Sequence, residues 1–439
     1  MPAAPVAPAG LRTLHGRVTL MAGLAFGSNG INLGVISFAL LGLRASWGLT
    51  PGQAGLLVMA AGAGQLAGGI LMGHLADWVG RRAGFAATVA LSSLATGAAA
   101  LAPSLSWLGA MLFLAGVGFG GVAPVATSLV GEFAPRASRG TLMGWTQIIW
   151  IVGWIVAALG GAILTHAQEW RIVFLIGLLP VGLALVGPRL IPESPRYLLA
   201  HGRRHDAEEL ARMLAERYGV APELPAQEHA VRASFLAHLN ELWNPRFRRR
   251  SLVLWTAWFV MISAYNGPVM WLPTMLAAAG YERPALVSLL VSIAMGVPVL
   301  AATLLIDRIG RKPVIICGLA MGALGAFGVA LAGSETVLVL AAIAMAGGVL
   351  ASWPVILSFA AEMYPTRIRA TAAGWASAAG RTGAILAPFL LAVLMRTWTS
   401  KRAVALSIFA GSLVVAAMIV WFLGEETAGR SLEETAEQI

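Results

Sequence analysis

Charge is scarce in this chain. Only 11% of its 439 residues are Asp, Glu, Lys or Arg, whereas a soluble domain carries about a quarter. So few charges cannot cover a water-facing surface of this size, which excludes an ordinary soluble enzyme. Cysteine is nearly absent as well. The single Cys317 falls inside an apolar run, so no internal disulfide can form. Acids, histidines and cysteines nowhere converge as a catalytic centre, metal site or cofactor site would require, and none of these is expected. The one Gly-rich run, GVGFGG at 116–121, lies in an apolar helix rather than after a strand, which removes the nucleotide-loop reading.

Hydrophobic residues are what the chain has in quantity, at 58%. Runs near the ~20 residues that cross a hydrocarbon core recur at 18–42, 54–76, 84–102, 107–131, 141–165, 170–190, 251–277, 284–306, 313–333, 336–361, 371–395 and 402–424. The fold class expected is an all-α membrane protein of twelve transmembrane helices. Its 51 glycines suit close helix packing in lipid. The first run is too long for a signal-peptide core and is read as a retained helix.

The net charge of +10 is explained by position. With the amino terminus inside, only Arg44, Arg171, Arg283, Arg396, Lys401 and Arg402 fall in outer loops, and Arg381 falls within a span. The other 23 of the 30 Lys and Arg residues are cytoplasmic. This is the positive-inside bias. It predicts a multi-pass inner-membrane protein with both termini cytoplasmic, and leaves no basic soluble domain for nucleic acid.

An internal repeat organises the chain. Asp77, Gly80, Arg81 and Arg82 recur as Asp307, Gly310, Arg311 and Lys312, an offset of 230. The same offset carries Pro124, Glu132, Pro135, Arg139 and Gly144 onto Pro354, Glu362, Pro365, Arg369 and Gly374. Two pseudo-symmetric six-helix bundles are therefore expected, at 18–190 and 251–424. They are flanked by tails at 1–17 and 425–439 and joined by a cytoplasmic linker at 191–250. Within the linker, 206–219 reads as a short helix with Asp206 as N-cap and Gly219 as its stop.

These motifs resemble those of the major facilitator superfamily. The resemblance is to its metabolite:proton symporter and sugar-porter-like branch, whose members carry aromatic acids, nicotinate, organic ions and sugars. Gly73, Leu75, Asp77, Gly80, Arg81 and Arg82 match the loop after helix 2. PESPRYL (192–198), GEFAPRASRGT (131–141), AEMYPTRIRAT (361–371) and EETAGRSLEE (425–434) match other family loops in order. The resemblance implies the major facilitator fold, alternating access and a monomeric transporter with no cofactor. It also implies a latch on the cytoplasmic side. Asp77, Arg81, Arg82, Glu132 and Arg139 would form one cluster, and Asp307, Arg311, Glu362 and Arg369 its repeat.

The cargo is read from the spans. Arg381 sits about ten residues into its helix, ~15 Å deep at 1.5 Å per residue. A charge there costs at least ~2.5–3.5 kcal/mol on insertion scales and should face a polar cavity. No acid lies at comparable depth in any of the twelve runs, so a substrate carboxylate would be its natural partner. Helical phase adds Asn29, Asn32, Gln147, Trp150, Tyr265, Asn266, Trp353 and Ser377 as candidate lining residues. Trp154 and Trp258 share their faces, while Trp271 reads as an interface anchor. Helix 7 resembles the Y-x-G-x-x-x-W-L-P-T stretch of nicotinate and aromatic-acid carriers and lacks the Gln-Gln pair of sugar porters. The expected cargo is thus a small organic anion, an aromatic or other carboxylate, of the kind used in aromatic catabolism. A sugar or polyol is the alternative, and drug export a weaker one.

The resemblance also implies possible proton symport, through an acid in helix 1 and an Arg in helix 4. Here those positions read Asn29 and Leu112. Losing both partners together avoids a stranded buried charge, and it leaves symport by another route, uniport and exchange all open.

Overall fold

A computed structural model describes residues 13–133, 139–164, 170–218, 241–278, 280–364, 366–394 and 402–427. Twelve helices are long and apolar enough to cross a membrane. In chain order they are α1 Leu14–Trp47, α2 Pro51–Ala76, α3 Arg81–Leu101, α4 Leu105–Ala126, α5 Thr141–Leu164 and α6 Trp170–Leu190. The second set is α7 Arg248–Ala277, α8 Pro284–Ile309, α9 Arg311–Leu331, α10 Glu335–Phe359, α11 Ala372–Leu394 and α12 Ala403–Leu423. Every run expected from hydropathy is a helix. The main departure is α1, which extends to 34 residues, or about 51 Å, well beyond a ~30 Å hydrocarbon core.

The repeat is visible in packing as well as in sequence. The first helix of each six, α1 and α7, is 78% buried over its apolar window, more than any other span. These two form the centre, and their neighbours present large apolar side chains outward. Leu331, Val297 and Leu324 are each at least 70% exposed, as helix faces against acyl chains must be.

Local chemistry fixes the turns. Thr50 and Gln53 form a reciprocal capping box at the start of α2, with Pro51 in its first turn, so the free donors there are satisfied. The α2–α3 and α8–α9 connections each turn on a single glycine, Gly80 (φ 101°) and Gly310 (φ 107°). That left-handed region favours glycine, which is why both copies of the repeat keep one.

Each of these turns is then held by a distant carboxylate. Glu193 accepts from the Arg81 backbone N–H at 2.8 Å. Glu426 accepts from the Arg311 and Lys312 N–H groups at 2.9 and 3.0 Å. A carboxylate on a helix N-terminus satisfies orphan donors and complements the dipole. The Glu of PESPRYL and the second Glu of EETAGRSLEE are therefore structural clasps on the same side of the molecule.

That side also carries the linker and is called the linker side below. Its helices are Pro195–Ala200, N-capped by Ser194, and Arg204–Tyr218. The second starts two residues before the expected Asp206 cap. Asp206 instead lies in its first turn and pairs with Arg203 at 2.6 Å. The expected stop, Gly219, lies outside the described residues.

Inside the first half, α2 and α4 cross at glycines. Gly64 and Gly68 of α2 face the backbone of Phe113 and Val117, while Gly116 and Gly120 of α4 face Ala61 and Gln65. A β-carbon at any of the four would overlap backbone atoms. Two small-xxx-small registers thus bring the helices to backbone contact, which is how helices associate without a hydrophobic driving force.

Candidate functional site

The halves meet along two principal seams. In one, α5 packs against α8 and its tryptophans meet Tyr265 in the broken middle of α7; in the other, α2 packs against α11.

The first seam is aromatic. Trp150 and Trp154, one turn apart on α5, stack at 5.7 Å. Tyr265 of α7 stands edge-on to both, at 5.5 and 5.8 Å, and Phe38 of α1 closes on Trp154 at 6.4 Å. Such tilted and edge-on arrangements suit ring quadrupoles. The backbone that presents Tyr265 is irregular. Residues Tyr265–Val269 form one π turn, with Gly267 at φ −79°, ψ −105° followed by Pro268. Pro268 has no N–H to give, so the ladder slips by a residue and Met270 N–H bonds Tyr265 O at 2.9 Å. Broken helices at membrane depth are tolerated where protein or a cavity satisfies them. Here Ser37 of α1 donates to the Met270 carbonyl across the seam.

Trp154 Nε1 donates to Ser292 Oγ on α8 at 3.0 Å. Phe38, Trp154, Leu272, Ser292 and Met295 line a small void of about 10 Å³, enough for roughly one water.

The second seam is built around Arg381. Its guanidinium leaves α11, crosses to the first half and donates through Nη2 to the Gly120 carbonyl at 3.0 Å. It lies against Gly69 of α2, where any β-carbon would occupy the same space. On its own side, Gly380 and Gly383 bring α11 onto Trp258 and Ser263 of α7. Among the described residues, Asp, Glu and His side chains all lie at helix ends, in loops or in the linker. Arg381 is therefore the charged group at midplane depth.

The remaining expected residues divide clearly. Trp150 and Tyr265 join the aromatic cluster. The Tyr265 hydroxyl, the Asn29 carbonyl oxygen and the Trp353 indole nitrogen are buried with no hydrogen-bond partner among the described residues. Gln147 is buried one turn toward the linker side, its amide 3.4 Å from Thr146 Oγ1. Asn266 turns back on its own helix and donates to Ile262 O at 3.1 Å. Asn32 faces into its own bundle, with Nδ2 3.5 Å from Ser92 of α3 and its oxygen beside Gly177. Ser377, half-buried, sits one turn before Arg381. Trp271 is a correction: it is fully buried in the core beside the π turn, not an interface anchor.

Phe38, Ser292, Gly69 and Gly120 were missed by sequence reasoning. A usable signal existed for the last of these. Pro124 stands four residues after Gly120, which marks a helix carbonyl without its usual donor.

On the linker side three residues of the expected second latch copy, Asp307, Arg311 and Glu362, meet. Arg311 pairs with Asp307 at 2.9 Å and with Glu362 at 3.1 Å, and Thr427 donates to Glu362 at 2.6 Å. Arg250, 2% exposed, pairs with Glu425 at 2.7 Å and donates to Met363 O. Burial pushes the nearby Tyr364 hydroxyl up to about 12, against the opposing pull of Ser251 and Arg250. These ion pairs lie within one half. Among the described residues, Thr141 Oγ1 of the other half donates to Asp307 at 3.2 Å. In the first copy, Arg82 bonds Pro188 O at 2.6 Å and Arg81 holds Glu193 through its backbone. The side chains of Asp77, Glu132, Arg139 and Arg369 lie outside the described residues.

Known proteins place this architecture. Residues 18–438 match the family described as sugar (and other) transporter. The niacin transporter NiaP of Acinetobacter baylyi is 35% identical over 421 residues, covering 95% of this chain and 96% of its own. The putative niacin/nicotinamide transporter NiaP of Bacillus subtilis is 29% identical, covering 94% and 96%. A solved structure of the xylose transporter XylE from E. coli, in a partially occluded inward-open conformation, superposes with TM-score 0.76 at 20% identity, covering 95% and 99% of the two chains. The chain belongs to the sugar (and other) transporter family, and is a multi-pass membrane transporter of the major facilitator type rather than an enzyme.

Proposed function

We propose that this protein takes up a small aromatic carboxylate of the nicotinate kind across the inner membrane by alternating access, with the linker side in the cytoplasm. The observation that carries this reading is Arg381. A guanidinium at midplane, with no acid at its depth among the described residues, is complementary to a carboxylate that arrives as cargo. The Trp150, Trp154 and Tyr265 rings offer flat faces to an aromatic body, and unpartnered polar atoms on Asn29, Tyr265 and Trp353 offer hydrogen bonds to it. The niacin transporter relatives support the same class.

The linker-side orientation rests on the arginines and lysines gathered there. The latch residues, with Thr141 and Asp307 joining the halves, would hold that side closed and part as the bundles rock.

A sugar cargo is the weaker reading. The PESPRYL and EETAGRSLEE motifs, which speak for a sugar by resemblance to sugar porters, supply Glu193 and Glu426 as helix caps, so they report the fold and not the solute. A neutral sugar would also bring no charge to meet Arg381.

Uptake of labelled nicotinate into proteoliposomes, challenged with excess benzoate, nicotinamide or xylose, tests the class. Inhibition by benzoate alone is expected. Inhibition by xylose with none by benzoate would overturn it.

A further inference from the structure

The contact between Arg381 and Gly120 is prepared by the chain on both sides. A helix carbonyl normally accepts from the N–H four residues on. For Gly120 that residue is Pro124, inside the same helix, which has no N–H. The Gly120 carbonyl is thus left in need of a donor at membrane depth, where an unsatisfied backbone group is costly. Arg381 Nη2 supplies it at 3.0 Å. Room for the guanidinium exists because residue 69 is glycine. One proline and one glycine, on two helices of the first half, receive one arginine from the second.

We propose that the Gly120 carbonyl is a parking site for Arg381 that competes with the cargo. Without substrate, the arginine clasps the two halves together along the α2–α11 seam. A carboxylate offers two charged acceptors in place of one neutral carbonyl, so it draws the guanidinium away and releases the clasp. Binding and unlocking are then one event, because the cargo favours the released arrangement over the clasped one. This rests on the reading of Arg381 as the anion-binding group.

The test is nicotinate binding by calorimetry to the full chain in lipid nanodiscs. Pro124→Ala restores the missing N–H, and alanine is the better helix former, so this variant is expected to fold. Removing a charge-assisted competitor should tighten nicotinate binding about tenfold. Gly69→Ala, which expels the guanidinium sterically, should act in the same direction, and neither gain should survive in combination with Arg381→Ala. If Arg381→Ala abolishes binding while folded Pro124→Ala leaves affinity unchanged or lowers it, the clasp is wrong and the anion site stands. If Arg381→Ala binds nicotinate like wild type, both readings fall. Should Gly69→Ala not fold, Pro124→Ala decides alone.

Discussion

Trp154 and Ser292 are joined across the seam between the halves, the indole N–H donating to the hydroxyl at 3.0 Å. Ser292 in turn donates to the Ser288 carbonyl of its own helix at 2.6 Å. The bond ties the aromatic cluster of the first half to α8 of the second, so the cluster's geometry and the approach of the halves are set together. Trp154→Phe keeps the ring and deletes the donor. Its expected effect is weaker coupling between halves, read as faster exchange of a spin-label distance across the α5–α8 seam with thermal stability lowered by only about 1 kcal/mol.

Tyr265→Phe separates packing from recognition. The hydroxyl is buried without a partner among the described residues, so deleting it should not lower the melting temperature and could raise it. If the hydroxyl serves the cargo, nicotinate affinity should fall about tenfold, a factor equal to one hydrogen bond of about 1.4 kcal/mol. Equal losses of stability and affinity would assign Tyr265 to packing alone.

Gly116→Ala tests the α2–α4 crossing. The added methyl would overlap the Ala61 carbonyl, and neither backbone can yield without moving its helix. A destabilisation of about 1–3 kcal/mol is expected, measured as a lowered melting temperature in detergent. Alanine at Gly182, where nothing lies within 4 Å of the added carbon, should leave stability unchanged.

Arg250 and Glu425 anchor the tail to α7. Arg250 is the buried partner and Glu425 the partly exposed one, so it is Glu425→Ala that strands a buried charge and should cost about 3–5 kcal/mol. The double variant Arg250→Met with Glu425→Leu should recover most of it. Loss of the same size in the double variant would mean the pair is not what holds the tail.

Asp307 probes the latch. It receives Thr141 from the other half and Arg311 from its own. Asp307→Asn keeps the shape and removes the charge, and should slow uptake while the protein remains inserted at wild-type levels. An unchanged uptake rate would reduce these contacts to a role in folding.

Much of the architecture was legible from composition because lipid imposes a simple rule: a span must be long, apolar and helical. The repeat was legible because Gly80 and Gly310 need the same backbone conformation in both copies. The site was less so. Helical phase named Trp150 and Tyr265 among the lining residues, and their rings meet. It also named Asn32 as a lining residue, whereas Gly30 and Gly34 turn one side of α1 toward α5 and Asn32 lies against Ser92 of α3. Trp271 was read from its position near a helix end, but the π turn at Gly267 and Pro268 keeps the chain in the core there. Phase assumes a regular helix, and the segment of α7 that presents Tyr265 is an irregular one. The reach of Arg381 into the other half depended on Gly69, 312 positions away in the chain, which no local pattern could reveal.

The central claim is that Arg381 reads the negative charge of the cargo. Nicotinate and nicotinamide share a ring and differ in that charge, so paired counterflow of the two in proteoliposomes isolates it. Wild type is expected to exchange nicotinate and discriminate against nicotinamide. Arg381→Ala is expected to lose nicotinate exchange, and Arg381→Lys to retain part of it, since an ammonium keeps the charge without the bidentate fork. Nicotinate exchange by Arg381→Ala at the wild-type rate would contradict the account.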